Sequence, residues 1–467
     1  MNIAQGIESW AKNSIEPLNI KLNDGDIQLT EKLRHLPNRR LTCLAQWQNK
    51  IVIAKFFYGV RAQQHVEKEA SVLKALIKKG IRTPSLLGVY EEADCSVLII
   101  EYMAHSTSLA DWLKLEPEQL EFDSVISETT ALMLECHRAG FEIQDPHLEN
   151  FLISNGEVYI IDAGDIAQSN TPLSHESSLQ NMALLYAQLP VTHDLIAFQV
   201  LKKTLSAVGY LDVPDEKTWQ QRLISQRRWR QKKFIDKKVF RNCSAYICQQ
   251  SRSRFLAAKR DFFTDEVAQA LSNPDALIEQ GFLLKDGNTA TVARVEIAGE
   301  TYVLKRYNIK KPVHALIRGL RWSRAAVSWR NGLLLEMLGI PTATSYVLIE
   351  ERWGAMRRRS YLLSEYIDAP QAWDIFEGER FDEQEKKEWA KKIYNLFKLL
   401  KRCQISHGDL KAQNILCPPE GAMFIDLDGM RANQEFKAFD RQFVKDIKRF
   451  HKSWPDKWLS NPYFLQN

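Results

Sequence analysis

Four residues in the second half of the chain have the types and spacing to move a phosphoryl group. Lys305 ends the apolar run Tyr302-Val-Leu-Lys305. Asp409 and Asn414 fall in His407-Gly-Asp409-Leu-Lys411-Ala-Gln-Asn414, and Asp426 ends Phe424-Ile-Asp426. Transfer from a nucleoside triphosphate needs a cation on the phosphates, oxygen ligands for magnesium, and a carboxylate that takes the proton of the acceptor hydroxyl. Lys305 fits the first need, Asn414 and Asp426 the second, and Asp409 the third. Lys411 is placed to offset charge on the moving group. Taken singly these are ordinary residues, a strand-end lysine or an aspartate in the turn after a strand. The ordered set is specific.

The same set recurs upstream. Ile51-Val-Ile-Ala-Lys55 supplies a lysine, Asp145 and Asn150 stand five apart, and Ile160-Ile-Asp162 supplies the second metal ligand. From Glu101 to Asp145 is 44 residues, as from Glu365 to Asp409, and from Asn150 to Asp162 is 12, as from Asn414 to Asp426. Matched intervals in matched order point to a duplicated domain. Glu69 is placed to pair with Lys55, whereas the aligned position in the second half is Asn331, and Glu336 falls on another helical face. The loop around Asp145 carries Ile143 where the other has His407.

The elements that must position these residues follow an α/β pattern in each half. Leu41 to Trp47 and Ile51 to Phe57 read as strands around Gln48-Asn49-Lys50, and Val292 to Ile297 and Thr301 to Arg306 repeat this around Ala298-Gly299-Glu300. Helical periodicity follows at His65 to Lys79 and Ala325 to Leu338, and closing helices are expected at Ser178 to Gln188 and Phe439 to Ser453. Neither half has a full glycine-rich phosphate loop. Asp286-Gly287-Asn288-Thr289 offers backbone N–H groups in the second half, and Leu36-Pro-Asn-Arg-Arg40 two arginines in the first. Gly287 and Glu365, the latter ending the strand-like run Ser360 to Glu365, complete the expected nucleotide-binding set with Lys305, Lys55 and Glu69.

Bulk properties narrow the class. No stretch approaches the roughly 20 apolar residues of a membrane span, and Met1 to Ala11 has no secretory pattern, so a cytoplasmic protein is expected. The seven cysteines are odd in number and irregular in spacing, which argues for reduced thiols rather than a metal site. The net charge of +5 is unevenly spread: Arg222 to Arg260 holds thirteen Lys/Arg against Asp236 alone, and Lys305 to Arg330 holds eight with no acid. Such runs attract phosphate-bearing partners. Trp229, Trp322 and Trp329 interleave with them, as at a headgroup interface. No nucleic-acid recognition motif accompanies the charge.

His407-Gly-Asp409-Leu-x3-Asn414 is close to the protein-kinase catalytic loop. The second half resembles the lipopolysaccharide-core sugar kinases, the heptose and Kdo kinases, through Leu304-Lys305-Arg306-Tyr307-Asn308, Ser323-Arg324-Ala325, Ser328-Trp329-Arg330, Leu338-Gly339-Ile340-Pro341-Thr342, Phe424-Ile-Asp426-Leu-Asp428 and Asp446-Ile-Lys-Arg449-Phe450. The first half looks like a more distant relative. The resemblance implies an α/β (α+β) fold of two tandem protein-kinase-like bilobal domains, each with a small β-rich N-lobe and a helical C-lobe. It implies an ATP- and Mg2+-dependent kinase whose acceptor is a sugar hydroxyl of the lipopolysaccharide inner core, working at the cytoplasmic face of the inner membrane of a Gram-negative bacterium with peripheral contact to it. The family pattern puts a glutamate where Asn331 stands. The expected partition is an extension at 1–30, a first and degenerate domain at 31–215, a basic connector at 216–260 and the catalytic domain at 261–467. A protein Ser/Thr kinase and a silent nucleotide-binding scaffold are the rival readings. Against the former, no Ala-Pro-Glu segment follows Asp426.

Overall fold

The computed structural model describes residues 2–13, 16–23, 25–210, 212–308, 322–354, 356–377 and 380–452. Residues 309–321 of the basic run from Lys305 and Ser453 of the last expected helix lie outside these. The chain forms two compact units, residues 1–188 with 195–219 and residues 189–194 with 220–467. Each joins an antiparallel sheet to a helical portion, the bilobal arrangement expected of a kinase-like fold.

In the first unit, strands β1 (Leu18–Leu22), β2 (Gly25–Leu36), β3 (Arg40–Trp47), β4 (Lys50–Tyr58), β5 (Leu86–Glu91) and β6 (Cys95–Glu101) form one sheet in the order β1-β2-β3-β4-β6-β5. Helix α1 (Ile3–Asn13) lays Ile7 and Trp10 on one face of it, against Val52, Ala54 and Phe56 of β4. The stretch 1–30, set apart by sequence as an extension, thus supplies α1, β1 and the start of β2 to this lobe. Side chains alternate across a strand. With Ala54 in that core, Lys55 points to the opposite face, where helix α2 (Ala62–Lys78) packs. Helices α3 (Gln119–Arg138) and α4 (His175–Tyr186) belong to the helical portion.

The second unit starts earlier than its sequence suggested. Helix α5 (Glu216–Arg230) runs into it, and strands β7 (Tyr246–Gln250) and β8 (Arg254–Lys259) edge its sheet. The sheet continues through β9 (Phe282–Gly287), β10 (Ala290–Ile297), β11 (Glu300–Tyr307), β12 (Ser345–Trp353) and β13 (Met356–Glu365), in the order β7-β8-β12-β13-β11-β10-β9. The 216–260 stretch is therefore structural, not a solvated connector. Its Arg227 is buried and forks onto both carboxylate oxygens of Asp194 at 2.6 and 2.7 Å, a geometry that lets a buried charge persist. Trp329 is not an interface residue either: it is fully buried and donates to the Val239 carbonyl at 3.1 Å. Trp229 and Trp322 are half-exposed.

Helix α6 (Arg324–Leu338) crosses the inner face of this sheet. Ser323 caps its start by accepting from the Ala326 N–H, and Gly339 ends it in the left-handed region at φ 65°, where a residue with a Cβ is disfavoured. Leu304 packs on the outer face of β11 with Ala293 and Leu363, which aims Lys305 inward. Below lie helix α7 (Glu383–Cys403), opened by an Asp382/Glu385 capping box, and helix α8 (Phe436–Lys452).

Candidate functional site

The second unit holds a cleft of about 830 Å³. Lys305, Tyr307 and Val292 form its roof, Glu365 to Ala369 its back, and Lys411, Asn414 and Asp426 its floor. Lys305 Nζ donates to Asp426 Oδ1 at 2.6 Å across 121 residues of chain. Burial would lower the lysine's pKa, but Tyr307, Asp426 and Asp428 hold it above the usual range. Burial works to raise Asp426, yet Lys305, Arg324 and His407 keep it below the ordinary carboxylate value. Asp428, buried beside Asp426, is raised. Asp426 sits at φ 60°, a strained conformation for a non-glycine residue, and it opens the short turn Leu427–Gly429.

The loop bearing Asp409 is held from three sides. Arg449 of α8 donates to Asp409 Oδ1 at 2.7 Å and to the Gly408 carbonyl at 2.9 Å. Lys411 stands 3.2 Å from Asp409 Oδ2. Asn414 Nδ2 donates to the Asp409 carbonyl at 2.8 Å. Behind it, buried Asp446 accepts the Gly408 N–H at 3.0 and 3.1 Å. His407 is fully buried, and burial pushes its pKa down to about 4. The neutral ring meets the Ile425 carbonyl through Nε2 at 3.2 Å, which ties this loop to the strand that delivers Asp426. Gly408 has φ 80°, and a Cβ there would stand 2.2 Å from the Gly429 carbonyl oxygen, so only glycine lets the two loops approach.

Asn331 does not serve Lys305. Fully buried on α6, it donates through Nδ2 to the carbonyls of Leu427 and Met430 at 2.9 and 3.1 Å. It clamps the turn that follows Asp426. Glu336 pairs instead with Lys259 at 2.7 Å. Arg324, at the start of α6, pairs with Asp428 and reaches the Thr289 carbonyl at 3.4 Å. Gly287, two residues before Thr289, does not line the cleft as Thr289 does, and its carbonyl accepts from Asn308 at 3.2 Å. Arg324, Arg449 and Asp446 were given no role from sequence. Their signal was there: a basic residue at a helix start, and an acid and a base three apart on an amphipathic helix.

The first unit brings together a different subset. Lys55 donates to Glu69 at 2.5 Å and to Asp162 at 3.3 Å, and Arg40 lies 3.7 and 3.9 Å from the same two carboxylates. Burial would lower Lys55, but the two acids raise it. Asp162, at φ 67°, is kept low by Lys55 and Arg40 in spite of its burial. Asp145 faces His147 at 3.1 Å. Asn150 closes a 3-10 turn, and its carbonyl accepts the Ile161 N–H. Ile143 is buried, and its carbonyl accepts from Asn181 at 2.7 Å. Asn181 also accepts from buried His137 Nε2 at 2.9 Å, with a ring pKa of about 4. The support that His407 gives one loop comes here from another helix.

With this geometry in hand, comparison with known proteins is decisive for one segment. Residues 276–461 match the lipopolysaccharide kinase (Kdo/WaaP) family. The resemblance read from Lys305 to Phe450 is borne out over that span, and with it the enzyme class, a phosphotransferase of lipopolysaccharide. A solved structure described as WaaP in complex with acyl carrier protein is similar over 44% of this chain and 88% of its own, at 15% identity and a TM-score of 0.32. No curated protein matches the chain. The lipopolysaccharide-kinase segment contains the lysine, the Asp409 loop and the Asp426 turn, and it leaves out the first unit.

Proposed function

We propose that the second unit transfers the γ-phosphoryl group of ATP to a hydroxyl of a heptose or Kdo sugar in the lipopolysaccharide inner core, and that the first unit is a kinase-like partner without transfer activity of its own. The observation that carries the reading is Asp409, fixed by Arg449, Lys411 and Asn414, the last two lining the floor of the cleft roofed by Lys305, within the lipopolysaccharide-kinase segment.

Asp409 accepts a hydrogen bond from the sugar hydroxyl and takes its proton as the new P–O bond forms. Lys305, already charged and held by Asp426, binds the phosphates, and Lys411 meets the charge that develops on the transferring group. Asn414 and Asp426 are the residues that would hold magnesium. The Asn414 nitrogen is committed to Asp409 and Asp426 Oδ1 to Lys305, which leaves one oxygen of each for a cation. Among the described residues no group of three or more His, Cys, Asp and Glu could hold a metal unaided. That donor set suits magnesium, which takes one or two protein oxygens and completes its shell with phosphate and water. When bound, the ion supplies charge neutralisation across the phosphates. The lean toward an inactive first unit rests on Ile143 and on Arg40, which sits against Glu69 and Asp162.

The test is magnesium-dependent transfer of label from γ-labelled ATP to dephosphorylated lipopolysaccharide core, with Asp409→Asn and Asp145→Asn variants. Label lost only with Asp409→Asn is the expected outcome. Full transfer by Asp409→Asn would overturn the mechanism, and label entering only protein would replace the acceptor.

A further inference from the structure

Helix α8 carries a charge pattern that the Asp409 loop does not need. Lys437, Arg441, Lys445, Lys448, Arg449 and Lys452 are all exposed. At 100° per residue they fall within an arc of about 120°, spread along about 22 Å of helix. The opposite side holds Phe439, Asp446 and Phe450, which are buried. The arc contains no acid; Asp440 lies outside it, beyond exposed Val444. Only Arg449 of the six has a task in the site, its bond to Asp409. Arg449 also donates to the Gly408 carbonyl at 2.9 Å, and Arg441 makes a local bond to the Lys437 carbonyl at 3.2 Å. The remaining cations form a straight, convex row, not a pocket.

From this row we infer that α8 is a docking surface for an anionic lipid bilayer. A single anion is bound by cations that converge, whereas a flat row of long basic side chains matches a plane of many phosphates. Close to its C-terminal end the row includes Arg449, which bonds Asp409. A bilayer against α8 would therefore hold an anchored glycolipid at the height of the base. This rests on the proposed function for its purpose but not for its chemistry. Among the described residues no helix is long and apolar enough to cross a membrane, so attachment in this region would be electrostatic and weakened by salt.

The test is co-sedimentation of the full chain with vesicles of phosphatidylcholine alone or mixed with phosphatidylglycerol, at low and high salt. The variants are the triple neutral Lys437→Gln/Arg441→Gln/Lys445→Gln and, to control for folding, Lys437→Arg/Lys445→Arg. Wild type and the arginine variant should bind only the anionic vesicles. The neutral variant should lose about 100-fold in partitioning, at roughly fivefold per cation, while transfer to detergent-dispersed core glycolipid stays at the wild-type rate. Equal binding of the neutral variant, or equal binding to neutral vesicles, would overturn the inference. So would loss of transfer in detergent parallel to loss of vesicle binding, which would make the row an acceptor site, or tighter binding to a DNA duplex than to vesicles. Absence of transfer in wild type with vesicle binding still lost in the variant would overturn the proposed function and leave the surface standing.

Discussion

Restoring the glutamate that the family pattern puts at Asn331 should damage this enzyme. Asn331→Glu removes the amide that donates to the Leu427 and Met430 carbonyls, a net loss of about 1 kcal/mol for each bond. It leaves two carbonyl oxygens in a fully buried site facing a carboxylate, whose neighbouring cation, Arg330, is already bonded to Asp236, and a poorly compensated buried charge costs up to about 3–5 kcal/mol. Partial relief by protonation of the new acid or movement of the turn brings the expected total to about 4 kcal/mol. In a unit of this size each kcal/mol shifts melting by about 2–4 °C, so the transition of the second unit should fall by about 8–16 °C in scanning calorimetry. Transfer measured below that temperature should also fall, because the turn that orients Asp426 has lost its clamp. Asn331→Gln, which keeps the amide, should recover part of both losses. The reasoning is refuted if Asn331→Glu melts at or above wild type with undiminished kcat/KM. That result would mean that the glutamate reaches Lys305 and that the Lys305–Asp426 pair is not the functional geometry.

The two lysines should separate in kind. Lys305→Met should cut kcat/KM for ATP by about 100-fold or more; Lys55→Met should leave transfer intact but destabilise the first unit by about 3 kcal/mol, since Glu69 is almost wholly buried and loses its closest partner. Stability should drop as pH falls from 6.5 toward 5. His137 and His407 stay neutral in the fold down to about 4, whereas the unfolded chain binds these protons near 6.5, and the full shift is worth about 3 kcal/mol per histidine; a flat melting temperature across that window would contradict it. Gly408→Ala should abolish transfer and lower melting, because φ 80° and the Gly429 carbonyl at 2.2 Å both oppose a Cβ; an active, stable alanine variant would show that the loops can part without cost.

The strands, the helices behind them and the Asp-x4-Asn loops were legible in the sequence because they rest on local signals: alternation in Tyr302 to Lys305, helical periodicity in Ala325 to Leu338, and fixed spacing between polar residues. The use of the 216–260 stretch was not. A run dense in Arg and Lys reads as solvated, and only the tertiary partner of Arg227, Asp194, shows that this part of it is buried. Trp329 misled for the same reason, since its basic neighbours hide a ring that packs entirely inside. The role of Asn331 was illegible on principle. Its partners are backbone carbonyls, which carry no residue-type signal.

The two units reach the same charge balance by different means. In the first, Lys55 and Arg40 face Glu69 and Asp162, with one carboxylate from a helix and one from the strand end. In the second, Lys305 and Arg324 face Asp426 and Asp428, with both carboxylates from a single turn. Each quartet is neutral, which is what makes burial tolerable. They differ in how readily the balance can be opened. The Arg324 side chain is 44% exposed, whereas that of Arg40 is 18% exposed. Arg324 is therefore the cation of the second quartet that can turn toward a phosphate at least cost in burial. In the first unit the same step would pull a shielded arginine away from Glu69, whose carboxylate bonds Lys55 and lies beside Gly164 of the turn that Asp162 opens. The lysine–glutamate pair of the first unit also holds its lobe together, because Glu69 is almost wholly buried and Lys55 is its closest partner.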